Sequence, residues 1–148
     1  MKYTCTTEVP LNRKDCIKLW LDESQYDKWQ EGFQYKKWTK GSPNQKNSTS
    51  NILIIQGNRK IELEEFITES NLPSYLEGRY THIHMTNTQK VSFEIISPEK
   101  TLVRTEVEYT EFKSFIAKVM AILFPRLFKK QSQKWLDQFK LLAEQING

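Results

Sequence analysis

The stretch SFIAKVMAILFPRLFKKQSQKWLDQFKLLAEQ, Ser114 to Gln145, sets the hardest constraint on how this chain folds. Its residue types and spacing predict one long helix. The second half carries a single apolar stripe, whereas the first half is apolar on nearly every side. Such a helix is buried, crosses a bilayer, or covers something apolar. Crossing requires about 18 consecutive apolar residues. The nearest candidate, Phe115 to Phe124, is interrupted by Lys118 and stopped by Pro125. The expectation is therefore a helix whose first half is enclosed by other structure. Pro125 would kink it, and Trp135, Phe139, Leu142 and Ile146 would pack its far half.

The rest of the chain supplies a sheet to do the enclosing. YTCTTEV alternates as a strand, with Tyr3, Cys5 and Thr7 on one face. Pro10 ends it. Asn12, with Asp15 three residues on, then offers a helix cap resembling a capping box. Ile17, Trp20 and Leu21 give this first short helix an apolar face, and Ser24 is placed to cap a second through Tyr26 and Trp29, closed by Gly32. FQYKKW reads as a strand, and GSPNQKNSTSN, Gly41 to Asn51, as a mobile loop. ILIIQ before Gly57-Asn58, KIELEEFIT, SYLEGRYTHIHM, QKVSFEIIS and TLVRTEVEYTE complete a run of strands. Val103, Thr105, Val107 and Tyr109 share one face of the last strand, against Arg104, Glu106 and Glu108 on the other. That is the pattern of an antiparallel sheet with one wet face. The class is α+β.

The 148 residues fit a single domain spanning 1–148, long enough to bury a core without disulfides or metal. Cys5 and Cys16 are isolated, without metal-ligand spacing, and read as reduced structural thiols. The N-terminal residues lack the apolar core of a signal peptide, so a cytoplasmic location is expected. With 22 basic and 18 acidic residues the net charge is +4, too mild to argue for nucleic acid. No Walker loop, dinucleotide fingerprint or Ser-His-Asp pattern is present.

Three segments in this order, LWLDESQYDKWQEGF, KIELEEFITESNLP and LFPRLFKKQSQKWLDQFKLLAE, resemble the START-related superfamily with the birch-pollen-allergen fold, also called SRPBCC or polyketide cyclase-like. The resemblance covers nearly the whole chain. It implies a helix-grip fold: a curved antiparallel sheet of six to seven strands wrapped around a long C-terminal helix, with two short helices after the first strand and a cavity between sheet and helix. Relatives carry glycines in the loop after the second strand. Here Gly41 is followed by Asn44 and Asn47.

Strand alternation places Ile61, Leu63, Glu65, Tyr80, His82, Phe93, Ile95, Val103, Thr105 and Val107 on the inner face. Phe115, Val119, Met120, Leu123 and Leu127 face them from the helix. The bland reading of the same pattern is a filled core. Glu65 breaks the apolar phase of its strand, as a ligand-orienting carboxylate or as a wet residue at a bulge or edge. His82 and His84 share a strand face, but a metal site needs further ligands and none appears at a recognisable spacing. Lys129 and Lys130, with Arg126 and Lys134, follow the apolar half-helix, a combination suited to an anionic membrane surface or to a solvated helix face. The expected function is non-covalent binding of a hydrophobic small molecule or lipid, without cofactor, nucleic acid or stable membrane insertion. Burying about 300 Å² of apolar ligand is worth about 7 kcal/mol, so no polar motif is required. A cyclase- or hydratase-type enzyme using His82, Glu65 or Tyr80, and a protein-interaction module, are the alternatives.

Overall fold

In the computed structural model, which describes residues 1–147, seven strands form one antiparallel sheet. They are β1 (Lys2–Val9), β2 (Phe33–Lys40), β3 (Thr49–Gln56), β4 (Arg59–Asn71), β5 (Tyr75–Thr81), β6 (Met85–Ser97) and β7 (Lys100–Phe112). The order across the sheet is β1-β7-β6-β5-β4-β3-β2, so β2 to β7 run as a meander and β1 closes beside β7. Register shifts fall between Phe33 and Tyr35, Trp38 and Lys40, Ile67 and Glu69, Thr86 and Asn87, and Ile95 and Ser97. An extra residue in one strand bends it and raises its twist, which is how a flat meander becomes a grip.

Two short helices connect β1 to β2. The first, α1 (Arg13–Leu21), starts as its sequence specifies: the Asp15 amide donates to Asn12 Oδ1 at 2.8 Å, and Asn12 Nδ2 donates back to Asp15 Oδ2 at 3.0 Å. The second, α2 (Tyr26–Trp29), is entered through a 3-10 turn, Glu23–Gln25. Asp22, rather than the expected Ser24, is the capping residue and caps that turn, with Ser24 the donor to Asp22 Oδ1. Trp20, Tyr26 and Trp29 are buried, and Trp20 and Trp29 stand 4.7 Å apart.

The C-terminal segment departs from expectation. It forms two helices, α3 (Phe115–Leu123) and α4 (Pro125–Asn147), rather than one kinked helix. Phe124 leaves the helical region (φ −131°, ψ 50°). The residue before a proline is pushed out of the α region by the ring, and proline is well placed at a first helical position. Pro125 therefore starts a helix. The second half packs largely as its stripe predicts: Leu136, Phe139, Leu142 and Ala143 are buried, whereas Ile146 is exposed, lying at the last turn. Phe139 is wholly enclosed, with Trp20 at 5.0 Å and Trp29 at 5.1 Å, both edge-on. At the other end of α4, Phe128 meets Tyr109 edge-on, Tyr3 and Ser132 share a 2.7 Å hydrogen bond, and the Cys5 thiol faces the Lys129 carbonyl. The core thus lies where α1, α2 and α4 meet β1, β6 and β7. Both cysteines are free and buried within it, and burial pushes the Cys16 thiol up to about 12.

The first half is not enclosed. Among the residues of α3 only Ala117 is buried; Phe115, Ile116, Ile122 and Leu123 are exposed, and so is Leu127 on the first turn of α4. The stretch Gly41–Asn51 is likewise not a free loop. The Asn47 amide donates to the Ile67 carbonyl and the Ile67 amide to the Ser48 carbonyl, at 2.8 and 3.0 Å. Gly41, Asn44 and Asn47 all adopt positive φ (72°, 62° and 71°). Asparagine is among the few residues that enter this region readily, so Asn44 and Asn47 perform a glycine's conformational task.

Burial predicts a sharp contrast. Phe139→Ala is expected to lower unfolding free energy by about 3–5 kcal/mol, whereas Ile122→Ala, at an exposed site, changes it by no more than about 0.5 kcal/mol. Urea denaturation of both variants checks this.

Candidate functional site

The concave face carries a charge cluster that alternation only half revealed. On β4, Ile61, Leu63, Glu65 and Ile67 share a face. Register places Ile61 opposite Ile54, Leu63 opposite Ile52 and Glu65 opposite Ser50 on β3. On the other side Glu65 lies opposite Tyr80 of β5. Glu65 is 4% exposed, neither wet nor at a bulge. Its Oε1 accepts from Lys36 Nζ at 2.7 Å and from the Ser50 hydroxyl at 3.0 Å, and its Oε2 accepts from the Tyr80 hydroxyl at 2.6 Å. Three donors from three neighbouring strands thus converge on one carboxylate.

Lys36 comes from β2, two strands away. Its side chain is 5% exposed. The ammonium lies 4.4 Å from the Trp38 ring and 5.8 Å from the Tyr26 ring, where the negative faces of aromatic rings attract a cation. Trp38 is held in turn by its indole N–H, which donates to Glu23 at 2.8 Å. Burial first, and then the Glu65 charge, pushes the Tyr80 hydroxyl well above its ordinary pKa; the same two causes raise Tyr26. Tyr80 is therefore a proton donor held by a carboxylate.

Beside this cluster the sheet is apolar and incompletely covered. The close approaches of helix to sheet fall on β1, β2, β6 and β7, with none of substance over β3, β4 or β5. Ile52, Ile61, Leu63 and Tyr80 are accordingly half-buried. This half of the concave face carries a strip of half-buried aliphatic side chains beside the Lys36–Glu65–Tyr80 cluster.

Other candidates are distributed differently. Phe93 and Val103 belong to the packed core, Phe93 lying 6.0 Å from Trp20. Thr105 and Val107 are buried beside them on β7. Val119 and Met120 are half-buried on α3. Phe115 and Leu123 point to solvent instead of inward, because only the Ala117 side of α3 meets the rest of the chain. Ile95 is 61% exposed; it lies near the end of β6, next to a register shift, where it lines an open groove beside α1. His82 is not on a strand at all. SYLEGRYTHIHM divides into β5, a turn at residues 82–84, and the start of β6. The His84 amide donates to His82 Nδ1, the two rings stand 5.3 Å apart, and no third His, Cys, Asp or Glu completes a metal-binding group among the described residues.

An open groove of about 630 Å³ is lined by Asn12, Arg13, Lys14, Ile17, Leu72, Pro73, Ile95, Ser97 and Pro98. A smaller one, about 300 Å³, lies among Glu8, Pro10, Lys100, Lys140 and Glu144. Among the described residues four buried polar atoms have no hydrogen-bond partner: Trp29 Nε1, Trp135 Nε1, Gln131 Nε2 and Thr105 Oγ1. Three are nitrogens that can only donate.

No family model and no curated protein matches the sequence. Solved structures match over essentially the full chain. The Zhui aromatase/cyclase of Streptomyces sp. R1128 superposes with a TM-score of 0.78 at 9% identity, covering 97% of this chain and 93% of that one. A START superfamily protein of Mycobacterium smegmatis gives 0.76 at 14% identity, with 98% of each chain covered. Ara h 8.0201 gives 0.72 at 8%, again with 98% of each. What is shared at these identities is the fold. The chain has the helix-grip architecture of the START-related and birch-pollen-allergen-like proteins, the architecture that its sequence resembles.

Two predictions follow from this geometry. Lys36→Ala leaves the Glu65 carboxylate buried without its counter-charge and is expected to cost about 3–5 kcal/mol, whereas the paired replacement Lys36→Met with Glu65→Leu is expected to cost much less, since a buried ion pair is often replaceable by apolar volume. Urea titrations of both variants decide the point. The second concerns His82, whose pKa is lowered by burial first and then by His84, Arg59 and Lys113. The unfolded chain then binds a proton near pH 6.5 more readily than the folded one. Stability contributed by neutral His82 is present above pH 6.5 and lost as pH falls through the unfolded value. Because the ring is partly exposed, the expected fall in Tm between pH 7.5 and 5.5 is at most about 2 °C, and His82→Gln should remove that part of the slope in a melting series.

Proposed function

We propose that this protein binds a hydrophobic small molecule or lipid in the space between the sheet and the C-terminal helices. The Lys36–Glu65–Tyr80 cluster forms the polar end of that site. The observation that carries the reading is the position of the cluster: a buried, hydrogen-bonded ion pair between the sheet and α2, beside half-buried aliphatic side chains of β3 and β4. A purely structural ion pair is weak support for a fold, because desolvation offsets most of its Coulombic gain. At the end of an apolar site the same groups fix the orientation of a ligand whose affinity comes from burial. Ile61, Leu63 and Met120 supply the apolar contact in this reading. Glu65, Tyr80 and Lys36 meet a hydroxyl or carbonyl of the ligand. The START superfamily and aromatase/cyclase structures support it through the shared architecture.

A second reading rests on one distance. The 2.6 Å O–H···O contact from Tyr80 to Glu65, beside a lysine, is an arrangement that moves protons as well as binding oxygen. In an aromatase/cyclase-type enzyme, Tyr80 would be the acid and Glu65 its partner. Glu65→Gln and Tyr80→Phe separate the two readings, since a carrier keeps its affinity within a few fold while an enzyme loses turnover.

The direct test is native mass spectrometry of gently purified protein, followed by organic extraction of whatever is released. A stoichiometric apolar adduct, displaced or weakened by Leu63→Asp, is the expected result. An adduct-free mass, together with no thermal stabilisation by any member of a lipid and polyketide panel, would overturn the binding reading.

A further inference from the structure

The exposed apolar helix and the charge around it belong together. Between Phe112 and Leu136 the sequence holds Lys113, Lys118, Arg126, Lys129, Lys130 and Lys134 and no acidic residue. Taking those six from the 22 basic residues leaves 16 against 18 acidic ones, so the remainder of the chain has a net charge of −2. The whole of the positive balance lies between the end of β7 and the third turn of α4, with Lys118 the one cation on α3 itself. Lys134 is bridged to Glu31, but among the described residues no carboxylate comes within bridging distance of Lys118, Arg126, Lys129 or Lys130.

The apolar residues form a ridge. At 100° per residue, Phe115, Val119, Ile122 and Leu123 cluster on the side of α3 opposite Ala117, its only buried residue, and Lys118 lies at the margin. Phe115 is 80% exposed and Ile122 77%. The turn carrying Ile83, itself 76% exposed, is tied to the start of α3, since the Lys113 amide donates to the His84 carbonyl at 2.7 Å and its ammonium to the His82 carbonyl at 3.2 Å. Large apolar side chains left exposed together on one side of a helix mark an interaction site.

We propose that this ridge docks on an anionic membrane surface, with Phe115, Ile122 and Ile83 entering the headgroup–acyl boundary and the flanking cations meeting lipid phosphates. Charge selects the occupant. A second copy applied through a two-fold axis would bring the same cations face to face. An apolar ridge with Lys118 at its margin and Arg126, Lys129 and Lys130 on the adjoining helix matches the interfacial form of membrane binding, in which apolar side chains enter and basic ones stay at the headgroups. No helix among the described residues is long and apolar enough to cross a bilayer, so contact is peripheral. This inference does not depend on the ligand reading above and survives its failure.

The test uses the full chain and sedimentation with vesicles of phosphatidylcholine alone or with 30% phosphatidylglycerol. Binding to the anionic vesicles is expected to exceed binding to neutral ones by about tenfold or more and to weaken as salt rises from 50 to 500 mM. Phe115→Ser with Ile122→Ser, at exposed positions, and separately Lys129→Glu with Lys130→Glu, should each reduce binding about tenfold while leaving the circular dichroism spectrum unchanged. Equal sedimentation with both vesicle types, none with either, or wild-type binding by both variants would overturn the proposal. So would a stable dimer in analytical ultracentrifugation that dissociates on Phe115→Ser with Ile122→Ser and ignores vesicles.

Discussion

The position of Phe139 governs the rest of this structure. A sheet of seven strands has one face to hide, and a single helix is too narrow to hide all of it. The chain meets this by seating α4 along β1 and filling the adjoining space with the aromatic side chains of α1 and α2. Phe139 is where these layers meet, edge-on to both Trp20 and Trp29. Edge-to-face rings add a preference for one arrangement beyond the area they bury. The sheet curls around that point, and its bulges absorb the curvature.

Covering one half of the concave face so thoroughly leaves the other half short of cover, and chemistry collects there. Ile52, Ile61 and Leu63 remain half-open, and the boundary between closed and open halves falls at Glu65. A carboxylate at such a boundary must be paired or fully hydrogen-bonded. The chain supplies both, through a lysine from β2, a serine from β3 and a tyrosine from β5. Because the three donors come from three different strands, the cluster also records their register. A one-residue slip of β2 would swing Lys36 to the convex face and strand the carboxylate.

The sheet was legible because alternation is a property of each strand alone. Of the residues read as inward, Glu65, Phe93 and Val107 are buried and Leu63 and Tyr80 half-buried. Lys36 was not legible, because nothing local in FQYKKW says that β2 lies beside β3 with Trp38 opposite Ser50. Its proximity to Glu65 is a fact of register between strands distant in sequence. His82 failed for the opposite reason. THIHM continues the alternation of a strand without glycine, proline or asparagine to mark the turn at residues 82–84, so the pattern ran past the point where pairing stops. For α3, composition correctly reported an apolar helix but was silent about what covers it. Enclosure needs a facing surface, and the sheet offers one only to Ala117.

The break at Phe124 explains how two neighbouring helices come to differ so much. A continuous helix would need an N–H at position 125 to bond back to Ala121, and proline has none. Hydrogen bonding instead closes at Phe124, whose amide reaches the Met120 carbonyl, and α4 begins afresh. From there α4 is fixed to the sheet by Phe128 on Tyr109, Ser132 on Tyr3 and Lys129 above Cys5. The other helix is attached only by the Ser114 cap, by Ala117 and by its neighbours on β7 and α4. Proline thus divides one apolar sequence into a half that serves the core and a half that does not. The unshared half holds one cation, Lys118, and the excess positive charge continues from it onto the first turns of α4, where Arg126, Lys129 and Lys130 have no carboxylate within bridging distance among the described residues. An apolar helix that the fold leaves on its surface, next to cations it does not neutralise, has physical requirements that only something outside the chain can meet.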